Sequence, residues 1–100
     1  MDLVELGRHI VYHVKPYLPS NFVSIDVYYD CTGETKPLIR AYANIKNESK
    51  PFPMWSGDMI ENLKKDFENF KIILQPKRII KVHFHCELNG EFTFNCDYKK

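Results

Sequence analysis

Two histidines and two cysteines fall within the fourteen residues "HFHCELNGEFTFNC", His83 to Cys96. Imidazole nitrogen and thiolate sulfur are zinc ligands, and four of them converging would make a closed tetrahedral site. Strand geometry decides whether they converge, because successive residues point to opposite faces and a one-residue slip in pairing inverts them. A two-residue turn at Asn89-Gly90 would set Cys86 opposite Thr93 and Phe84 opposite Asn95, mixing apolar and polar side chains on one face. A three-residue loop, Leu88-Asn89-Gly90, with Gly90 in the left-handed conformation, instead pairs Cys86 with Phe92, Phe84 with Phe94 and Val82 with Cys96. The second register gathers the apolar residues and is the one expected. His83 and His85 then face away from Cys86 and Cys96, and the cysteines become small buried hydrophobes. A site of His83 and His85 alone is set aside because no third ligand is evident. No metal and no cofactor is expected.

Other chemistry is sparse. Acyl transfer needs a nucleophile, a base and an orienting acid, and neither a nucleophile elbow nor a cysteine-protease signature occurs. Cys31 sits beside a turn next to Asp30; it would need a lowered pKa to react, and it reads as the end of a core face. The four glycines build no phosphate loop: Gly7 suits helix packing, Gly33 and Gly90 turns, and Gly57 a helix start. Asp26 and Asp30 alternate as acids on a solvated strand face do, rather than as a catalytic dyad. No catalytic residue is assigned, and the chain is not expected to be an enzyme.

The elements that position these residues follow from periodicity. Leu3, Leu6, Gly7, Ile10, Val14, Tyr17 and Leu18 recur at helical steps behind Asp2, an N-cap residue type. Pro16 should end or kink that helix. From Phe22 to Cys31 the pattern alternates, with Val23, Ile25, Val27 and Tyr29 on one face and Ser24, Asp26, Tyr28 and Asp30 on the other. After the turn-rich "TGETKP" it alternates again, Ile39, Ala41, Ala43 and Ile45 against Arg40, Tyr42, Asn44 and Lys46, which predicts a hairpin. "KNESKPFP" reads as a loop. "WSGDMIENLKKDFENFKIIL" reads as a helix capped by Ser56, with Trp55 and Ile60 placed as a hydrophobic staple and a stripe of Met59, Ile60, Leu63, Phe67, Phe70 and Leu74. In the last hairpin Ile80, Val82, Phe84 and Cys86 share one face, and Phe92, Phe94, Cys96 and Tyr98 share the other strand's.

The order is therefore α-β-β-α-β-β. One-faced helices and one-faced strands predict an α+β two-layer sandwich, an antiparallel sheet of about four strands with two helices on one face, forming a single domain over 1–100. Strand order is not readable. At 100 residues and 44% hydrophobic positions there is room for one core. A net charge of +1 advertises neither nucleic acid nor membrane. An acidic start unlike a signal peptide, no apolar run of spanning length, and three cysteines without disulfide spacing lead to the expectation of a cytoplasmic protein.

If the helices cover one face, the other presents Tyr28, Tyr42, Arg40, Asp26, Lys81, His83, His85, Thr93, Asn95 and Asp97. Tyrosine and arginine among mixed polar groups is the composition of protein interfaces, and equally of an ordinary wet sheet face.

The tail "NGEFTFNCDYKK" resembles that of the YezG-like immunity proteins, antitoxins that neutralise secreted polymorphic toxins of competing bacteria, with Gly90, Glu91, Phe92, Asp97 and Tyr98 at the matching places. "LKKDFENF" is similar to that family's long helix, and "LPSNFVSIDVYYD" to its first helix-to-strand passage. The resemblance implies a protein that binds its cognate toxin one-to-one and blocks it, needing no catalytic group. Were the toxin a nuclease, its basic cleft would favour the acids Asp26, Asp30 and Glu34. The expected toxin-binding residues are Asp26, Tyr28, Asp30, Glu34, Arg40, Tyr42, His83, His85 and Asp97, with no nucleic-acid or membrane partner. The alternatives are a single-stranded nucleic-acid or nucleotide binder using Tyr28, Tyr42 and Arg40 as a stacking platform, and a small hydrolase or metal-dependent enzyme built around His83 and His85.

Overall fold

The computed structural model describes residues 2–33, 36–75 and 78–99. Helix α1 spans Leu3–Val14; Asp2 caps it by accepting from the Glu5 amide at 2.8 Å, and Pro16 diverts the chain into a 3₁₀ turn, Lys15–Tyr17. Strands β1 (Phe22–Asp30) and β2 (Leu38–Ile45) form the expected hairpin, with Asp26 opposite Tyr42 and Tyr28 opposite Arg40. Helix α2 spans Gly57–Ile73 behind Ser56, whose hydroxyl accepts from the Met59 amide. Strands β4 (Ile79–Glu87) and β5 (Phe92–Tyr98) complete the chain. Between β2 and α2, Phe52–Met54 forms a further short strand, β3.

All strands belong to one antiparallel sheet of order β3-β2-β1-β4-β5. The sheet thus has five strands rather than about four, because the segment expected to be a loop pairs with β2. Its prolines masked it: Pro53 cannot donate to a ladder, and an edge strand is where a sheet tolerates one. β1 and β4 lie at the centre and pair with each other, which joins the first hairpin to the last.

Both helices pack on one face. Phe67 stacks on Tyr29 at 5.0 Å between ring centroids, Phe70 stacks on Phe94 at 4.7 Å, and Gly7 lets α1 settle on the Phe92 ring. The core is continuous, from Leu6, Ile10 and Val14 through Ile25, Val27, Tyr29 and Phe84 to Leu63, Phe67 and Phe70. The last hairpin takes the predicted register, Cys86 opposite Phe92, Phe84 opposite Phe94 and Val82 opposite Cys96, with Gly90 at φ +94°. Cys86 is buried, and Cys96 is partly buried against the core.

Three local expectations change. The β1–β2 register shifts between Phe22 and Ser24, so Val23, expected in the core, is exposed. A second shift between Ile79 and Lys81 gives Ile79 the core place expected of Ile80. Such an irregularity adds a residue to one strand and breaks strict alternation. Trp55 is 79% exposed, so it does not form the staple expected with Ile60. No described helix is long and apolar enough to cross a membrane.

Candidate functional site

The sheet face opposite the helices carries a polar cluster assembled across the β1–β4 ladder. Asp26 lies directly opposite His85, and His83 is two residues before His85 on the same face. Asp26 Oδ1 sits 2.7 Å from His83 Nε2 and 2.7 Å from His85 Nδ1, while its Oδ2 accepts from Asn44 Nδ2 at 2.7 Å. Asn44 also donates to Ser24 Oγ at 2.8 Å, and His85 Nε2 lies 2.9 Å from Glu87 Oε1. Burial works to raise the Asp26 pKa, but hydrogen bonds from His85, His83 and Asn44 outweigh it and hold the carboxyl below its ordinary value. The hydrogen bonds to Asp26 and then to Glu87 push the His85 imidazole up. His85 therefore bridges two carboxylates.

Aromatic rings flank the cluster. Tyr28 stacks flat on His83, 4.5 Å between centroids and 7° between planes, and meets Tyr42 edge-on at 5.9 Å. A shallow groove beside the stack is lined by Tyr28, Arg40, Tyr42, Lys81, Asn95 and Asp97.

The structure brings Asp26, His83, His85, Tyr28 and Tyr42 into one contact network. Arg40 and Asp97 line the groove beside it, Arg40 directly opposite Tyr28 in the β1–β2 ladder. Asp30, at the end of β1, spends Oδ1 on the Thr32 amide and hydroxyl, a turn-forming role; those bonds hold its pKa down. Glu34 lies outside the described residues.

The reason for setting aside a His83–His85 metal site is overturned: a third ligand-type group, Asp26, is in place, contributed by a strand 57 residues away in sequence from His83. The four-ligand site stays excluded, since the cysteines are on the core side and the histidines on the open side. Sequence reasoning also missed Asn44 and Glu87, although alternation put Asn44 with Arg40 and Tyr42, and Glu87 with His83 and His85.

A second polar pair was missed in the helical layer. His13 Nδ1 lies 2.6 Å from Asp66 Oδ2, joining α1 to α2, and Asp66 is 3% exposed. Burial pushes the Asp66 carboxyl up, and the contact with His13 offsets only part of that. The signal was legible: Asp66 follows Leu63 by three residues and precedes Phe70 by four, on the apolar stripe itself.

Fold and site together define a two-layer α+β domain with a histidine-bearing polar cluster on an uncovered sheet face. No family model matches the chain, and no curated protein matches it.

Proposed function

We propose that the protein is a toxin-neutralising immunity protein that uses the open face of its sheet to bind and occlude a cognate bacterial toxin domain in a one-to-one complex. The observation that carries this reading is the open face itself. No described segment covers it, yet its side chains are held in place: Asp26 by three neighbours, His83 by Tyr28, His85 by Asp26 and Glu87. Side chains already ordered lose less entropy on binding, so a pre-set surface binds more tightly for the same area. Tyr28, Tyr42 and Arg40 are the residue types that anchor interfaces. The resemblance of the tail motif supplies the kind of partner.

The nucleic-acid reading is less well supported. Asp26, Asp30, Glu87 and Asp97 outnumber Arg40, Lys81 and, by alternation, Lys46 on this face, which opposes a polyanion. One side of the Tyr28 ring is also taken by His83 rather than offered to a base.

The test is co-expression with the polypeptide encoded immediately upstream. Rescue of growth together with a one-to-one co-purified complex is the expected result. A toxic neighbour that is neither bound nor neutralised would sink the proposal, and salt-sensitive binding of single-stranded oligonucleotides would replace it.

A further inference from the structure

Asp26, His83 and His85 each offer one donor atom, and the three atoms lie within 4.8 Å of one another. Among the described residues no other group of three histidine, cysteine or carboxylate side chains meets that condition. Two imidazoles and one carboxylate, with further positions open, is a ligand set that zinc takes where it keeps a site for water or substrate. It also suits other first-row divalent ions. We propose that Asp26 Oδ1, His83 Nε2 and His85 Nδ1 bind a single divalent transition-metal ion, Zn²⁺ for preference, with the fourth position facing outward from the open sheet face. This goes beyond the toxin-binding reading and does not depend on it.

The three donors already cluster within 4.8 Å, and side-chain rotation alone has to bring them to the spacing of a bound ion. Donors about 2.0–2.1 Å from a tetrahedral ion stand roughly 3.3 Å apart, whereas Asp26 Oδ1 is 2.7 Å from each histidine nitrogen. Small side-chain rotations open that gap. The backbone positions are fixed by the two central strands, with Asp26 and His85 as direct partners in the ladder.

The surroundings are those that tune a metal ligand. A ligating histidine usually gives its other ring nitrogen to a carboxylate, which fixes the tautomer. Here His85 Nε2 lies 2.9 Å from Glu87 Oε1, leaving Nδ1 to the ion. Asn44 donates to Asp26 Oδ2 at 2.7 Å and so turns Oδ1 toward the histidines. Tyr28, flat against the His83 ring, fixes its plane.

Titration of the purified full-length chain with ZnCl₂ alone, followed by calorimetry, tests the site. One ion per chain is expected, and Asp26→Asn and His83→Asn should each weaken binding by at least about tenfold, as should Glu87→Gln through its hold on His85. Glu87 is exposed, so its replacement keeps the test decisive even if another variant fails to fold, which circular dichroism reports. His9→Asn, on the exposed side of α1, should bind as the parent does. Co²⁺ in place of Zn²⁺ should give four-coordinate visible absorption without a thiolate charge-transfer band. Absence of saturable binding, equal binding by Asp26→Asn and the parent, or a thiolate band would overturn the proposal.

Discussion

Asp26 and His85 face each other across the β1–β4 ladder, with His85 Nδ1 2.7 Å from Asp26 Oδ1. That same oxygen is shared with His83, and the other oxygen holds Asn44, so one carboxylate organises side chains from three strands. The Asp26 side chain is 16% exposed, which keeps these bonds from being fully screened. Asp26→Ala should therefore lower stability by about 1–3 kcal/mol, since hydrogen bonds to a charged group are lost and their partners left without an acceptor. Asp26→Asn, which retains an acceptor oxygen, should cost less. Urea unfolding followed by tryptophan fluorescence and circular dichroism checks both; a stability unchanged in the alanine variant would contradict the shared-acceptor account.

A second prediction concerns the helix–sheet contact at Gly7. A Cβ there would lie 2.3 Å from Phe92 Cζ, closer than any van der Waals contact permits. Gly7→Ala gains up to about 1 kcal/mol of helix propensity. The forced displacement of Phe92 costs about 1–3 kcal/mol, so the variant should melt at a lower temperature. Adding Phe92→Leu, which shortens the obstructing ring, should recover part of the loss, and failure of the pair to couple would show that the two residues do not touch.

The third is a pH dependence. Asp66 has a carboxyl raised by burial above the ordinary 3.8, with His13 and His9 on α1 as the titratable groups that oppose the shift. The 2.6 Å contact with His13 pulls the pKa down, but almost complete burial wins. A proton held more tightly by the folded than the unfolded chain stabilises fully below the unfolded value, and that contribution disappears as pH rises through the folded one. Asp66→Asn lacks the term. Its stability relative to the parent should therefore rise as pH climbs from below 3.8 through the raised value, then level off. Denaturant unfolding across this range measures the difference, and a fall with rising pH would mean that His13 keeps Asp66 ionised.

The fourth concerns the core. Phe84 is fully buried and packs against both Phe92 and Phe94. Phe84→Ala should cost about 3–5 kcal/mol, a large share of the stability of a domain this small. A loss under about 1 kcal/mol in thermal or denaturant unfolding would mean that the hairpin contributes little to the core.

Much of this architecture could be read in the sequence, and the limits have physical causes. The last hairpin was legible from Val82 to Cys96 because only one register gathers Val82, Phe84, Cys86, Phe92, Phe94 and Cys96, and Gly90 fixes the loop that enforces it. The caps Asp2 and Ser56 were equally plain. β3 was not, because Pro51 and Pro53 speak for a loop and only its pairing with β2 at the sheet edge reveals a strand. The Asp26 cluster was hidden for a different reason. Alternation placed Asp26, His83 and His85 on one face, but nothing local says that β1 lies beside β4, and a one-strand change in order would separate them. The shifts at Phe22/Ser24 and Ile79/Lys81 were also invisible, since a bulge interrupts the alternation on which a strand reading depends.

The open sheet face is proposed as the binding surface. Calorimetric titration with the polypeptide encoded immediately upstream tests it most directly, comparing the parent chain with an Arg40→Ala, Tyr42→Ala double variant and with Tyr12→Ala, a 73% exposed residue on α1. A one-to-one complex is expected, at least about tenfold weaker in the double variant, where two anchor-type side chains are truncated, and unchanged in Tyr12→Ala. Full affinity in the double variant, or loss only in Tyr12→Ala, would contradict it and move the binding surface to the helical layer.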